Sequence, residues 1–328
     1  MKKVRGYTLV EWMIAIVLGL FLLGGLLSLY VISKGVTKTS LGDGELQENA
    51  RVAMRLLTAD LRMAGFWGDF TGTSVSISAG ASLSALATIQ INGTDCQDAA
   101  AVGAFPSGSL VLSVLSVVPV NAAGVKQTGL NCISLPSGYS YAASSDILDL
   151  RRAMGSPIAD ATALNSAKFY VAANHEAIYF FDGSETRPTT AAMPNRQVWE
   201  YMRHIYYVAK NSTAPQLRML SLGDGYSDTV VATGIEKVRI LLAVDTTATA
   251  DGIVDNYVRP ETVTQAQWTQ NRVLGARIFV LARAKNPDST YSNTTTYNLG
   301  DVAYQPADSY RRLLLQSTIM FNTRGESE

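Results

Sequence analysis

Histidine and cysteine are nearly absent from these 328 residues, with only His175, His204, Cys96 and Cys132. So few ligands, without a C-x-x-C or a Cys/His cluster, leave no zinc motif. Neither histidine stands in an H-E-x-x-H or H-x-E setting, and no G-x-S-x-G elbow, dinucleotide fingerprint or Walker loop occurs. Catalysis therefore has no support in the sequence, and the chain is expected not to be an enzyme. Excess charge is missing too, since Lys+Arg and Asp+Glu stand at 27 each. Without a basic stripe to neutralise phosphates, nucleic acid is not an expected partner. The most informative absence is local. From Trp12 to Ile32 no side chain is charged.

A run of that length spans a bilayer as a helix. One carboxylate, Glu11, stands at its start, behind Lys2, Lys3, Arg5 and Gly6. An acid at that depth must lie near the interface or meet a positive partner, and the obvious one is an α-amine. An ordinary secretory signal has a shorter apolar core and a small-x-small cleavage site. No convincing site of that kind follows here. A plain signal anchor, held by its basic flank on the inside, accounts for the apolar run but not for the acid.

Gly6-Tyr7-Thr8-Leu9-Val10-Glu11 resembles the processing site of type IV pilins and type II secretion pseudopilins, with Tyr7 in place of the usual phenylalanine. The resemblance implies cleavage between Gly6 and Tyr7 by a prepilin peptidase and methylation of the new amine. It also implies that Glu11 serves assembly by neutralising a neighbouring subunit's N-terminal amine. Loss of the leader would leave 24 basic and 27 acidic side chains.

Beyond the apolar run, Leu46, Ala50, Ala53, Leu57, Leu61 and Ala64 keep helical spacing, with Glu48, Arg51, Arg55 and Arg62 off that stripe. This predicts an amphipathic helix docked on a globular head. Gly35, Gly42 and Gly44 predict a bend or short break between the two halves, since each costs about 1 kcal/mol in a helix interior. The head reads as β-rich. Predicted strands cover 109–118, 147–151, 177–181, 204–209, 216–221, 238–244 and 276–282. Residues 71–145, heavy in Ala, Ser, Gly and Thr, predict surface loops and irregular strands rather than dense core. If the head is exported, oxidising conditions favour closure of Cys96 with Cys132. Two separate buried thiols remain the alternative.

Further segments extend the resemblance. Asp60-Leu61-Arg62-Met63-Ala64-Gly65-Phe66-Trp67-Gly68 resembles the signature that ends the long helix in PilW-type minor pilins. Gly65 and Gly68 suit a helix stop and turn, and Phe66 and Trp67 would plug the helix onto the sheet. The segment 234–240 followed by Val244-Asp245, then Trp268 with 277–283, and the closing strand 310–319 follow in the family's order. The implied fold class is α+β: a long N-terminal helix, half transmembrane and half amphipathic, packed on a large β-rich pilin-like head. The expected divisions are a leader at 1–6, a transmembrane assembly helix at 7–33, an amphipathic periplasmic helix at 34–65 and the head at 66–328.

By resemblance the chain primes type IV pilus assembly and joins the fibre at or near its tip, its head periplasmic until then. Its expected partners are the inner membrane, prepilin peptidase, other minor pilins, the major pilin and a tip adhesin. A J-type secretion pseudopilin is the nearest rival, and a membrane-anchored ligand-binding module for DNA uptake or adhesion is a rival of another class. No cofactor is expected, although Asp245, Asp251 and Asp255 hint at a calcium loop. The alternation of oxygen ligands such a loop needs is broken here, and a solvated turn is the simpler reading. Arg311 and Arg312, adjacent on a strand, must point to opposite faces. Tyr206/Tyr207 and Tyr139/Tyr141 read as half-buried strand aromatics rather than base-stacking platforms.

Overall fold

The structure is a computed structural model and describes residues 8–72, 75–85, 87, 96–97, 102–107, 111–223 and 225–321. Gly6 and Tyr7 lie outside the described residues. The chain divides into two compact units, residues 1–45 and 46–328. Helix α1 (Leu9–Arg62) runs unbroken through both. The expected break at Gly35, Gly42 and Gly44 is absent: together these glycines cost about 3 kcal/mol relative to alanine. The uninterrupted hydrogen-bond ladder on either side outweighs that.

Within the second unit, Leu46, Ala50, Ala53, Leu57 and Leu61 are all buried, while Arg51, Arg55 and Arg62 face solvent. One stripe of the helix therefore docks, as its spacing requires. The helix ends where Gly65 and Gly68 take φ of +75° and +66°, a region only glycine enters without strain. The Gly65 N–H donates to Arg151 O at 3.3 Å, tying the turn to a strand.

The head follows as β1 (Ala81–Leu83), β2 (Leu115–Pro119), β3 (Ser140–Tyr141), β4 (Asp146–Ala153), β5 (Phe169–Ala173), β6 (Ile178–Asp182) and β7 (Gln197–Lys210). Next come β8 (Gln216–Gly223), β9 (Gly225–Thr233), β10 (Ile235–Val244) and β11 (Asn256–Val258). The short helix α2 (Gln265–Thr269) then precedes β12 (Val273–Arg283), β13 (Tyr297–Asn298), β14 (Ala303–Tyr304) and β15 (Arg312–Met320). Fourteen-residue β7 is the spine of a nine-stranded sheet with the path β1-β6-β5-β7-β4-β2, and β3 and β8 also pair with β7. Among the described residues only β1 and β6 run parallel in it. A second sheet, β11-β10-β12-β15, is antiparallel throughout, and β13 and β14 form a small ribbon.

The two large sheets and the helix stripe share one core. Val238, Ile240 and Leu242 of β10, Ala276, Ile278 and Val280 of β12, and Leu148, Leu150, Tyr206 and Val208 of the first sheet close around it. Each leucine or isoleucine buried there contributes about 2 kcal/mol. A second core is aromatic. Trp67 stacks on Tyr201 at 6.1 Å and meets Phe180 edge-on at 5.9 Å, while Phe105 meets Phe169 at 5.0 Å.

Each predicted strand overlaps an observed one, but residues 71–145 depart from expectation. Phe105, Leu112, Leu115, Val118 and Leu130 are all buried, so this small-residue segment supplies core at its few large side chains. Cys96 and Cys132 form a disulfide with Cα atoms 5.2 Å apart, packed against Val118, Leu130, Ile147 and Tyr207.

Candidate assembly site

The first turn of α1 is held by a reciprocal pair. Glu11 accepts the Thr8 N–H at 2.8 Å and the Thr8 hydroxyl at 3.1 Å, and the Glu11 N–H donates to Thr8 Oγ1 at 3.3 Å. This is capping-box geometry, which satisfies helix amides that have no partner of their own. From Leu9 to Ile32 the apolar side chains stand open on every side, Phe21 at 77 % exposure among them. Twenty-one uncharged residues at 1.5 Å each reach about 30 Å, the thickness of the hydrocarbon layer. Among the described residues this is the one helix long and apolar enough to cross a membrane.

At the other end of the helix, Asp60 gathers three side chains from the sheet. Its Oδ1 accepts from Arg152 Nη2 at 2.7 Å and Nε at 3.2 Å, and its Oδ2 lies 2.6 Å from both Tyr206 OH and His204 Nδ1. Arg152 is on β4; His204 and Tyr206, two residues apart on β7, share its face. Burial alone would raise the Asp60 pKa, but the hydrogen bonds from His204 and Tyr206 and the nearby Arg152 charge outweigh it. The carboxyl is held well below the usual carboxylate range. The Tyr206 phenol is pushed far up, by burial first and by Asp60 second.

A second buried system stitches the disulfide region to the sheet. Asp149 Oδ2 accepts from Arg151 at 2.8 Å and from Arg203 at 2.7 Å, all three side chains being fully buried. Arg151 also donates to Gly103 O and Val102 O, and Arg203 to Cys96 O at 2.5 Å and Tyr226 OH at 2.7 Å. The two guanidiniums thus satisfy the backbone carbonyls of Cys96, Val102 and Gly103.

The adjacent arginines behave as their alternation requires. Arg312 is buried between Glu236 at 2.6 Å and Asp308 at 2.6 Å, while Arg311 pairs with Asp288 at 2.9 Å. Tyr207 turns away from Asp60 into the disulfide core and meets Tyr141 edge-on at 6.3 Å. His175 is exposed beside Glu176 at 3.3 Å, far in character from His204 in the Asp60 cluster.

The acidic loop folds its carboxylates onto its own amides. Asp245 accepts the N–H groups of Thr247, Asp251 and Gly252, Asp255 those of Thr246 and Thr247, and Asp251 that of Ile253. Among the described residues no group of three or more His, Cys, Asp or Glu side chains is placed to hold a metal ion. Trp268, which precedes the 277–283 segment, sits on α2, whose first turn is closed by a Thr264/Gln267 capping box.

Residues 205–323 match the family Type IV Pilus-assembly protein W, and residues 1–27 match the prokaryotic N-terminal methylation motif. The chain is PilW-like in its second half. Among solved structures, this PilW-like chain is similar to the type IV-like pilin TTHA1219 from Thermus thermophilus. That likeness has 11 % identity, covers 65 % of this chain and 86 % of the other, and has a TM-score of 0.29. None of the curated proteins compared with it matches. The matched 205–323 segment contains Tyr206, Arg312 and the whole second sheet, whereas Asp60 and Arg152 lie outside it.

Asp60 stands within a sequence signature that assigns it no role. Its partners are 92 to 146 residues away, a separation no local pattern crosses. Asp149 and Arg151 carried a usable signal: two opposite charges at i and i+2 inside an apolar run face the same side of a strand. Such a pair inside a core strand marks a buried ion pair.

Proposed function

We propose that this PilW-like chain is a minor pilin that helps prime type IV pilus assembly and enters the fibre at or near its tip. The observation that carries the reading is the exposed, uncharged stretch from Trp12 to Ile32, with the acid Glu11 directly before it and a methylation-motif match over residues 1–27. Prepilin peptidase would cut between Gly6 and Tyr7. The helix at 7–33 would hold the chain in the inner membrane with the head in the periplasm until assembly. There the helix would exchange lipid for the apolar helices of the major pilin and other minor pilins. Glu11 would exchange its Thr8 amide for a neighbour's N-terminal amine, two opposite charges that meet favourably where water is scarce. A tip adhesin is a further expected partner.

The match to a pilus-assembly family supports this reading over a J-type secretion pseudopilin. The deciding experiment is intact and peptide mass spectrometry of the chain from membranes with and without prepilin peptidase. The expected product begins at methylated Tyr7 and forms only with the peptidase. A chain that keeps Met1, or one cut after the apolar run, would overturn the reading.

A further inference from the structure

We infer that β15 is a docking edge at which a second copy of this chain adds its own β15, antiparallel, joining two four-stranded sheets into one. The Phe321 N–H donates to Leu274 O at 2.8 Å and the Ala284 N–H donates to Arg311 O at 2.9 Å. In an antiparallel ladder this parity turns the odd-numbered residues of β15 toward β12. The N–H and C=O groups of Leu314, Gln316, Thr318 and Met320 therefore point away from it. β15 pairs with β12 alone, and among the described residues no backbone group takes up that outer edge. Nine residues of open ladder are the template on which another strand forms.

Two further features of the same edge select a second copy. Edge strands normally carry charge, proline or a bulge against self-pairing. From Leu313 to Phe321 this one has no charged side chain and no proline, and its register with β12 is free of bulges. Overlap of the full strand 312–320 with its copy centres the pair on Gln316. Leu313 then faces the copy's Ile319, Leu315 its Ser317, and Leu314 its Thr318, while Arg312 faces Met320. No like charges meet. The core is also open along this edge, where Leu313, Leu315 and Phe321 are only partly buried. A second β15 would cover those side chains while it completes the ladder.

The register makes the test specific. In it the two Gln316 Cα atoms lie about 5.5 Å apart, within the span of a disulfide, whereas the two Thr318 Cα atoms lie more than about 13 Å apart. The natural cysteines are bonded to each other, so an introduced thiol is alone. Full-length chain in membranes carrying Gln316→Cys, mildly oxidised, is expected to run as a covalent dimer on a non-reducing gel, and Thr318→Cys as a monomer. Adding Thr318→Pro to Gln316→Cys removes an outward donor but none facing β12, a place where strands accept proline. It is expected to abolish the dimer. Gln316→Lys, which sets like charges opposite each other, is expected to lower self-association of the detergent-solubilised chain at least tenfold in sedimentation velocity. That variant serves in place of Thr318→Pro if the latter does not fold. No cross-link at 316, equal cross-linking at 316 and 318, or unchanged association in the lysine variant would each overturn the inference.

Discussion

Asp60 is the residue through which the docked end of the helix is fastened to the sheet, and its surroundings set what its loss must do. Removal by Asp60→Ala leaves Arg152, whose side chain is 14 % exposed, without its carboxylate. Breaking such a buried pair costs about 3–5 kcal/mol, and urea unfolding of the purified chain should show it. Asp60→Asn keeps the shape but not the charge and should fall between. The pH dependence has a definite sign. The folded pKa of Asp60 is depressed, so its contribution is complete above the unfolded value of about 3.9 and is lost as pH falls toward the folded value. The stability gap between wild type and Asp60→Asn should narrow below about pH 4.

Among the elements, the turn after α1 and the disulfide-bearing segment carry the sharpest expectations. A Cβ at Gly68 would lie 2.5 Å from the Trp199 ring, on a backbone with φ of +66°. Gly68→Ala should therefore destabilise by about 1–3 kcal/mol, read by thermal unfolding with Trp67 and Trp199 as fluorescent reporters. Cys96 and Cys132 are 36 residues apart. On the chain-entropy account, opening that bond should cost about 4 kcal/mol, measured as the difference between oxidised and reduced protein in denaturant titrations.

These elements also divide what the sequence could and could not disclose. Strands β10 and β12 were legible because apolar runs bounded by turn residues show in the letters themselves. The docked helix stripe was legible for the same reason, since 3.6-residue periodicity needs no partner to be visible. Strand β5, Phe-Tyr-Val-Ala-Ala, is not legible in the sequence, because five buried residues in a row have no period that separates strand from helix. Strand β9 is hidden for the opposite reason: most of its residues face solvent and its polar letters resemble a loop. The Asp60 cluster stayed hidden because a register between β4 and β7, some fifty residues apart, decides which side chains share a face.

For the molecule as a whole, the proposed role rests on one acid at the head of the uncharged stretch Trp12–Ile32. Glu11→Ala should leave processing at Gly6 intact yet reduce incorporation into sheared fibres several-fold, as measured by immunoblot of fibre against membrane fractions. Equal incorporation would count against amine neutralisation as the part Glu11 plays. The open β15 edge makes a separate demand, since it concerns the head alone and would persist whether or not the helix enters a fibre.

A fibre under tension is also a mechanical object. Helix α1 continues without interruption to Arg62, and Asp60 lies in its last turn. Arg152 holds one carboxylate oxygen by two hydrogen bonds, and His204 and Tyr206 hold the other. A pull on the helix would load these four bonds together, beside the buried stripe. Bonds that converge on one carboxylate share a load, whereas a ladder opened from one end yields rung by rung. In that sense the knot at Asp60 acts as a rivet.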